Sequence, residues 1–390
     1  HSSNLPIRTA TTWTLGYAYQ LQGDRAAASQ AYTEIISLGK SFGDSIYTIA
    51  ATVSLGQVQE TNNRLSMATQ TYQHALHLAG DPPLAIACEA YLGLARIFYQ
   101  WNELEQSWQH TQQCIQMTQQ TASIDTFASS MMVLAHLKLA RGDANGAATV
   151  LDEAEAFVRR HHFVYRMADI AAVRVLLLLH QGRLSEAAEL AQTYQLPISQ
   201  ARVYLAQGEI LTAQAVLKSW RQQVEAKGWL DEQLKVMTLQ ALTYHLHSEK
   251  DRAIQLLGDV LALAEPAGFI RLFVDEGLPM ARLLSEAAAP GMKSDYLGKL
   301  LAVCEADEPK NKDPFYLLPV PHTPLLPEPL SQREGQILQL IALGLSNREI
   351  GERLFLALDT VKGHNRRIFG KLQVQRRTEA IARARQLGLV

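Results

Sequence analysis

From the start of the chain to about residue 260, apolar runs recur at a regular spacing and are separated by short polar turns. The turns contain Gly23-Asp24, Asn62-Asn63 and Gly142-Asp143, residues that favour turn or left-handed geometry and end a helix. Steps of 39, 40, 40 and 40 residues separate equivalent positions in successive turns: Arg25, Arg64, Leu104, Ala144 and Leu184. A two-helix repeat of about 40 residues predicts an all-α solenoid. The altered spacing after Leu184 predicts an irregular unit near Pro197 to Gly208.

The segment from Ala264 to Ala288 contains short apolar runs that are broken by glycine and proline. Gly268 and Gly277-Leu278-Pro279 divide it into two predicted short helices. Its apolar residues are expected to cap the open end of the solenoid: Phe269, Ile270, Leu272, Phe273 and Val274. The alternative is that Phe273 to Gly277 form part of an effector pocket.

A proline-rich stretch with no helical period follows. Its prolines are Pro309, Pro314, Pro319, Pro321, Pro324, Pro327 and Pro329. Such a stretch stays extended and predicts a linker of limited flexibility. The predicted domains are a helical-repeat sensor or scaffold at 1–263, its C-terminal cap at 264–304, the linker at 305–328 and a small helical domain at 329–390.

The final domain has the apolar pattern of four short helices, and the third is the most informative. Read as a helix, Asp359 to Leu372 places four residues on one inner stripe: Val361, Asn365, Ile368 and Leu372. The opposite side carries cations with small residues between them: Lys362, Gly363, Arg366, Arg367 and Gly370. Such a face can approach phosphates and the acceptors of guanine. The pattern favours a DNA-reading helix, and the alternative is a solvated basic face.

The neighbouring helices complete a helix-turn-helix pattern. Ser346 and Glu349 form a predicted capping box at the start of the preceding helix, as do Ser331 and Glu334 at the start of the first. Only the four residues FLAL separate the second helix from the basic one, as in a helix-turn-helix. The fourth helix has an apolar seam that either closes the small core or pairs two subunits: Ala380, Ile381, Ala384 and Leu387.

The motifs LSQRE, GLSNREI, TVK-G-H and KL-V ending at LGL resemble the C-terminal DNA-binding domain of LuxR-type bacterial transcription regulators. The resemblance implies that Lys362, Gly363 and Arg366 face base edges. It implies that a second set lies near phosphates: Ser346, Asn347, Arg348, Thr360, Arg367 and Lys371. Ala357 stands where the family often has a hydroxyl residue, so the basic helix loses a cap worth roughly 1 kcal/mol unless Asp359 substitutes. His364 lies nearer the inner stripe and is expected to pack or to bond a phosphate.

The repeats resemble tetratricopeptide repeats but are longer, and they are similar to those in the sensor region of MalT-like regulators. The segment from Ala264 to Ala288 also resembles the one that ends that sensor. The resemblance implies an ATP-binding module upstream, so ATP belongs to that module and no cofactor is expected in this chain. The first residue is His1 rather than Met, which is expected of a part of a longer polypeptide or of a processed product.

Aromatic residues on the repeats have two interpretations. They can pack between helices, or stack on a sugar, a peptide or another small effector on the concave surface. The tryptophans concerned are Trp13, Trp101, Trp108, Trp220 and Trp229. Because packing accounts for most aromatic repeat positions, no effector-binding residue is assigned from the sequence.

Charge separates the last domain from the rest. Residues 330–390 contain 11 Lys and Arg against 5 Asp and Glu, a net +6, whereas the remainder has 25 against 33, a net of −8. The final segment alone has the balance of a nucleic-acid binder. Three scattered cysteines, Cys88, Cys114 and Cys304, argue against a disulfide framework and predict a reducing cytoplasm. The most apolar run is short and contains Arg174, so no membrane segment is predicted.

Catalytic and metal signatures are weak. Gly39-Lys40-Ser41 ends like a phosphate-binding loop, but Glu34 stands where that pattern needs glycine, which argues against a nucleotide-hydrolysing switch. The histidines lack partners at metal-ligand spacing, and no nucleophile or paired-carboxylate motif stands out, so no metal site and no enzyme are predicted.

The sequence therefore predicts a sequence-specific transcription regulator whose helical repeats sense a small effector or a protein partner and control assembly on DNA. The expected partners are double-stranded DNA, with RNA polymerase as a further candidate, and a second copy of the chain on DNA. The alternative is a protein-interaction scaffold whose helix-turn-helix serves as a docking or dimerisation module.

Overall fold

The computed structural model describes residues 5–42, 45–121, 123–288, 294–307, 332–354, 356–372, 374 and 376–386. These residues form 21 α-helices and no strand, which confirms the all-α prediction. No helix among them combines the length and the hydropathy needed to cross a bilayer. The chain divides into two compact units, unit 1 at residues 1–318 and unit 2 at residues 319–390.

Unit 1 begins with fourteen helices that follow one another as antiparallel neighbours. They are α1 (Leu5–Gln22), α2 (Arg25–Phe42), α3 (Ser45–Thr61), α4 (Leu65–Ala79), α5 (Cys88–Gln100), α6 (Leu104–Thr121), α7 (Ile124–Ala140), α8 (Ala144–Arg160), α9 (Met167–His180), α10 (Leu184–Thr193), α11 (Pro197–Gln207), α12 (Ile210–Lys227), α13 (Leu230–Leu246) and α14 (Lys250–Ala264). The predicted turns are confirmed, because Gly23, Asn63 and Gly142 have φ of 84, 57 and 76°. The irregular unit is confirmed too, since α10 and α11 have only 10 and 11 residues.

Three further helices complete the described part of unit 1: α15 (Arg271–Val274), α16 (Gly277–Ala288) and α17 (Asp295–Asp307). Helix α16 packs on α13 and α14, the last pair of the solenoid. Residues 267–276, which we call the closing segment, instead reach back to the C-terminal end of α5. There the amide of Ile270 donates to the carbonyl of Gln100 at 2.7 Å, and the indole of Trp101 donates to the carbonyl of Ala267 at 2.8 Å.

The closing segment adds to the expected cap at residues 264–288 a contact with an early repeat that the sequence did not predict. Phe273 is fully buried, and Ile270 and Val274 are 2% exposed, in an apolar cluster that combines residues of α3 to α5 with residues of α11 to α17. Burying these side chains between two distant repeats removes apolar surface from water, which favours the contact. The superhelix of unit 1 is therefore closed by its own chain.

Two polar contacts join early and late repeats at other points. The guanidinium of Arg25 lies 3.0 Å from the carboxylate of Asp231, and the amide group of Asn63 donates to the carbonyl of Leu230 at 3.1 Å. Both contacts connect the α1–α4 region with the start of α13. Early and late repeats of unit 1 are therefore joined at more than one point along the chain.

The described part of unit 2 contains α18 (Gln332–Ala342), α19 (Asn347–Leu354), α20 (Leu358–Leu372) and α21 (Arg377–Gln386). Helices α18, α20 and α21 pack against one another, and α19 packs on α20, around one small apolar core. The inner stripe predicted for α20 is confirmed, because Val361, Asn365, Ile368 and Leu372 are its buried residues. Helix α20 begins at Leu358, so the turn is one residue shorter than predicted.

The apolar seam of α21 is resolved for two of its residues. Ala380 and Ala384 are fully buried in the core of the same unit, so a second subunit cannot contact them, and Ile381 packs at the edge of that core. Three other predictions lie outside the described residues: Leu387, Ser331 and the proline-rich stretch. Residues 305–307, assigned to the linker, are the last turn of α17.

Replacing Gly56 with alanine is expected to destabilise unit 1. A Cβ there would lie 2.6 Å from a ring carbon of Tyr72, which is fully buried and donates a hydrogen bond to Glu60. We expect a loss of about 2 kcal/mol on chemical denaturation. Gly298→Ala on α17 is the control, since its Cβ meets nothing within 4 Å and alanine favours a helix. Equal stability of the two variants would contradict the tight packing of Tyr72.

Candidate nucleic-acid interface and ligand cavity

The outer face of α20 is open at every position that the sequence assigned to DNA bases. Lys362, Gly363 and Arg366 are exposed, as is Arg367, and a Cβ built on Gly363 has no atom of the described residues within 4 Å. The ammonium of Lys362 lies 3.3 Å from the carboxylate of Asp359 in an exposed pair, which is weak enough to yield to another anion. The core fixes the helix while its cationic face stays accessible.

The start of α19 lies beside this face in the helix-turn-helix. The capping box is confirmed, because the carboxylate of Glu349 accepts the amide of Ser346 at 2.6 Å and the hydroxyl of Ser346 accepts the amide of Glu349 at 3.4 Å. These bonds lower the pKa of Glu349. Arg348 is exposed and pairs with Glu352 at 3.2 Å, and the half-buried Asn347 accepts a hydrogen bond from Asn365.

Two half-buried arginines of unit 2 donate hydrogen bonds to backbone carbonyls at helix ends. Arg333 donates to the carbonyl of Leu354 at 2.7 Å, and Arg377 donates to the carbonyls of Ile341 and Leu345. Both guanidinium groups satisfy carbonyls at the ends of helices, where hydrogen-bond partners are missing. They therefore position α19 and α21 and do not belong to the cationic face.

Three further positions on α20 differ in what they offer a ligand. Thr360 is exposed. His364 is half-buried and its Nδ1 has no hydrogen-bond partner among the described residues, in keeping with its expected place near the inner stripe. Asp359 is 94% exposed and accepts a hydrogen bond from Lys362.

Lys371 lies in a different environment from the other residues assigned to phosphates. Its ammonium is 2.8 Å from the carboxylate of Glu334 on α18, and the two side chains are 18% and 4% exposed. A buried carboxylate needs such a counter-charge. The pair joins α18 to α20, which gives Lys371 a structural role that the sequence pattern did not indicate.

Unit 1 contains a cavity of about 850 Å³ between the closing segment and the inner helices of the repeats. Apolar surface comes from residues such as Ile97, Leu176 and Leu272, and an aromatic wall comes from Tyr99 and Trp220. The volume is in the range of small-molecule sites. Trp220 alone among the five tryptophans named above lines this cavity.

The polar part of the cavity wall is nearly balanced in charge. Its cations are Arg96, Arg166, Arg202, Lys235 and Arg271, and its carboxylates are Glu60, Asp169, Asp231, Glu232, Asp275 and Glu276. Most of them are paired across helices: Arg96 binds Glu60 through two nitrogens at 2.7 and 2.8 Å, and Arg202 binds Glu276 at 2.5 Å. A ligand must therefore exchange hydrogen bonds with existing pairs.

His136 adds a neutral group to this wall. Burial lowers the pKa of His136 to about 4; nearby Arg202, Lys235 and His180 act in the same direction and Asp275 opposes them. The imidazole is therefore uncharged at neutral pH and offers one donor and one acceptor. Its ring centroid lies 5.6 Å from that of Tyr99.

Arg271 connects the cavity wall with two other parts of unit 1. Its guanidinium donates to Asn102 in the α5–α6 turn at 2.7 Å and pairs with Asp275 at 3.3 Å and with Asp307 at 3.0 Å. The side chain is 3% exposed, and its Nη2 has no hydrogen-bond partner within the described chain. One buried charge thus binds a repeat turn, the cavity wall and the end of α17.

Sequence analysis did not identify the cavity residues. Asp275 and Glu276 do fall within the stretch Phe273 to Gly277, which had an effector pocket as its alternative interpretation. The available signal was the run of charged residues in an otherwise apolar segment, RLFVDEG. Their partners lie on α5 and α11, so spacing along the chain could not pair them.

Comparison with known proteins agrees with both units. Residues 1–289 match the MalT-like TPR region, and residues 328–384 match the bacterial regulatory proteins of the luxR family. A helical-repeat unit followed by a LuxR-type helix-turn-helix defines a class of transcription regulators. The chain belongs to the MalT-like, LuxR-type family of these regulators.

One curated relative is the HTH-type transcriptional regulator MalT of Yersinia pestis (strain Pestoides F). It is 24% identical over 411 residues, which cover 97% of this chain and 45% of the relative. The chain thus spans about half the length of that relative. A crystal structure of a Rap protein complexed with competence and sporulation factor has a TM-score of 0.54 at 12% identity, over 67% of this chain and 76% of that one. This likeness concerns the fold alone.

Replacing Lys371 with methionine is expected to destabilise unit 2 by about 3 kcal/mol, because the nearly buried Glu334 carboxylate loses the counter-charge of Lys371. Hydrogen exchange of the amides of α18 and α20 measures the loss. The double variant Lys371→Met with Glu334→Gln should recover much of it. If Lys371→Met left these amides protected and instead reduced the salt dependence of DNA binding, Lys371 would be a phosphate contact.

Proposed function

We propose that this chain is the sensor and DNA-binding part of a transcription regulator. Unit 2 reads duplex DNA with α20 in the major groove, and the cavity of unit 1 binds a small polar effector or a segment of a protein partner. The observation that carries the DNA-binding proposal is the exposed cationic face of α20 above a fully packed inner stripe. A helix in this setting can approach base edges without disturbing the core.

The contacts with DNA divide into two groups. Lys362 and Arg366 present donors to guanine acceptors, and Gly363 lets the backbone approach the bases closely. Ser346, Asn347, Arg348, Thr360 and Arg367 lie at the phosphates, which set the register of the domain. All of these residues are exposed or half-buried, as such contacts require.

Regulation requires more than one domain on DNA. A single small helix-turn-helix makes an interface of limited area, so two copies on paired half-sites are needed for tight specific binding. Effector binding in unit 1 changes this assembly, and RNA polymerase is the candidate partner of the assembled complex. Ala380 and Ala384 of α21 are buried in the core of unit 2, so the copies do not associate through these two residues.

The closing segment is the proposed route from the cavity to the rest of the chain. Asp275 and Glu276 form part of the cavity wall, and Arg271 binds both Asp275 and Asp307. Asp307 ends α17, after which the chain continues to unit 2. A ligand that competes for Asp275 or Glu276 therefore changes how firmly the end of α17 is held.

Replacing Arg366 with alanine tests the reading face. Selection from random duplex DNA with sequencing, at two salt concentrations, should yield a motif for the unaltered chain. Arg366→Ala should lose its preference at one or two base pairs. The free energy of binding to the preferred site, and to no other, should weaken by about 1–3 kcal/mol. Arg367→Ala, on the adjacent exposed arginine, should weaken binding to all DNA sequences by the same factor. It should also reduce the dependence of the binding constant on salt concentration.

Two results would contradict this assignment. An unchanged motif for Arg366→Ala would mean that another face reads DNA. Salt-sensitive binding without any enriched motif in the unaltered chain, with or without partner proteins, would favour the docking or dimerisation module.

Replacing Glu276 with glutamine tests the route from the cavity to α17. The variant weakens the pair with Arg202 without touching α17, so hydrogen exchange of α17 amides should rise about fivefold, or about 1 kcal/mol of local stability. In a variant that already carries Asp307→Asn, Glu276→Gln should not raise the exchange rate of the α17 amides further. Glu186→Gln, in the exposed pair with Arg183, is the matched control. Equal increments in both backgrounds would show that Arg271 does not connect the two sites.

A further inference from the structure

Asn365 is the one polar residue on the buried stripe of α20. It is 8% exposed, whereas Val361 and Ile368 on the same stripe are fully buried and Leu372 is 2% exposed. Its Nδ2 donates to Oδ1 of Asn347 at 2.8 Å, and its own Oδ1 has no hydrogen-bond partner among the described residues.

Stability does not explain an amide at this position. A buried carbonyl oxygen without a partner destabilises the folded state, and an apolar side chain of similar volume would complete the stripe. The amide therefore has to be explained by what it contacts. That contact is the first residue of α19, the helix that precedes the reading helix.

The hydrogen bond fixes which end of the Asn347 side chain faces outward. An asparagine amide carries an acceptor on one side and two donors on the other. Because Asn365 donates to the Oδ1 of Asn347, the two N–H donors of this half-exposed side chain lie at the other end of its amide. Asn347 lies between the exposed Ser346 and Arg348, at a helix start, where backbone amides favour an anion.

We propose that Asn365 is a positioning residue for DNA binding. Its amide orients Asn347 so that the NH₂ group meets a DNA phosphate, and the same bond sets the start of α19 against the middle of α20. The inference rests on the proposed contact between Asn347 and phosphate. Asn365, although it lies on the buried face of α20, thereby affects the affinity for DNA of any sequence.

The test is a double-mutant cycle on the 390-residue chain. Asn365→Leu, Asn365→Val, Asn347→Ala and the double variants are titrated with one fluorescein-labelled 30-base-pair duplex of random sequence at two salt concentrations. Asn365→Leu should lower affinity about fivefold, Asn347→Ala at least as much, and the double variant no more than Asn347→Ala alone. Hydrogen exchange of α18 to α21 should show protection that is unchanged or higher in Asn365→Leu.

The outcomes separate this inference from the proposal beneath it. If Asn347→Ala leaves affinity unchanged, the phosphate contact itself is wrong and the inference falls with it. If Asn347→Ala weakens binding but neither Asn365 variant does, only the positioning role is wrong. Additive losses, or reduced protection in both Asn365→Leu and Asn365→Val, would give Asn365 a purely structural role and overturn the inference.

Discussion

The buried guanidinium of Arg271 is the interaction on which the arrangement of unit 1 depends. A charge that is almost fully removed from water must be neutralised, and its partners come from three separate places: the α5–α6 turn, the closing segment and the end of α17. Burial of Phe273 and its apolar neighbours favours the contact between the closing segment and the early repeats. The charge of Arg271 determines where the segment binds. This contact helps to hold the closing segment along the wall of the cavity.

Contacts made by charged side chains also hold the helices of unit 2 together. Its core is small, so polar groups take part in joining the helices: Lys371 with Glu334, Arg333 with the carbonyl of Leu354, and Arg377 with the carbonyls at the end of α18. These cations face inward and are used for the fold. The cations on the outer face of α20 are exposed instead, and the two sets cannot be told apart by charge alone.

Local features of the structure were largely predictable from the sequence, and distant contacts were not. The stripe of α20, the Ser346–Glu349 capping box and the turns at Gly23, Asn63 and Gly142 follow from periodicity and residue conformation within a few positions. The contact between the closing segment and the end of α5 could not be predicted in this way. It joins residues far apart in the chain, such as Trp101 and Ala267, which are 166 positions apart. Lys371 appeared to be one more cation of the basic helix because Glu334, 37 residues earlier, was read only as part of a cap. The seam of α21 was ambiguous because apolar spacing does not say which surface will cover it.

Closure also limits how a protein of this kind can change in evolution. An open solenoid tolerates the gain or loss of a unit, since each repeat touches only its neighbours. Here α5 and the closing segment must meet, with the donor on Ile270 facing the carbonyl of Gln100. One extra pair of helices inserted between them would displace the segment by a full unit and separate these groups. Closure therefore restricts the number of repeats between α5 and α14, whereas substitutions that line the cavity leave this frame unchanged.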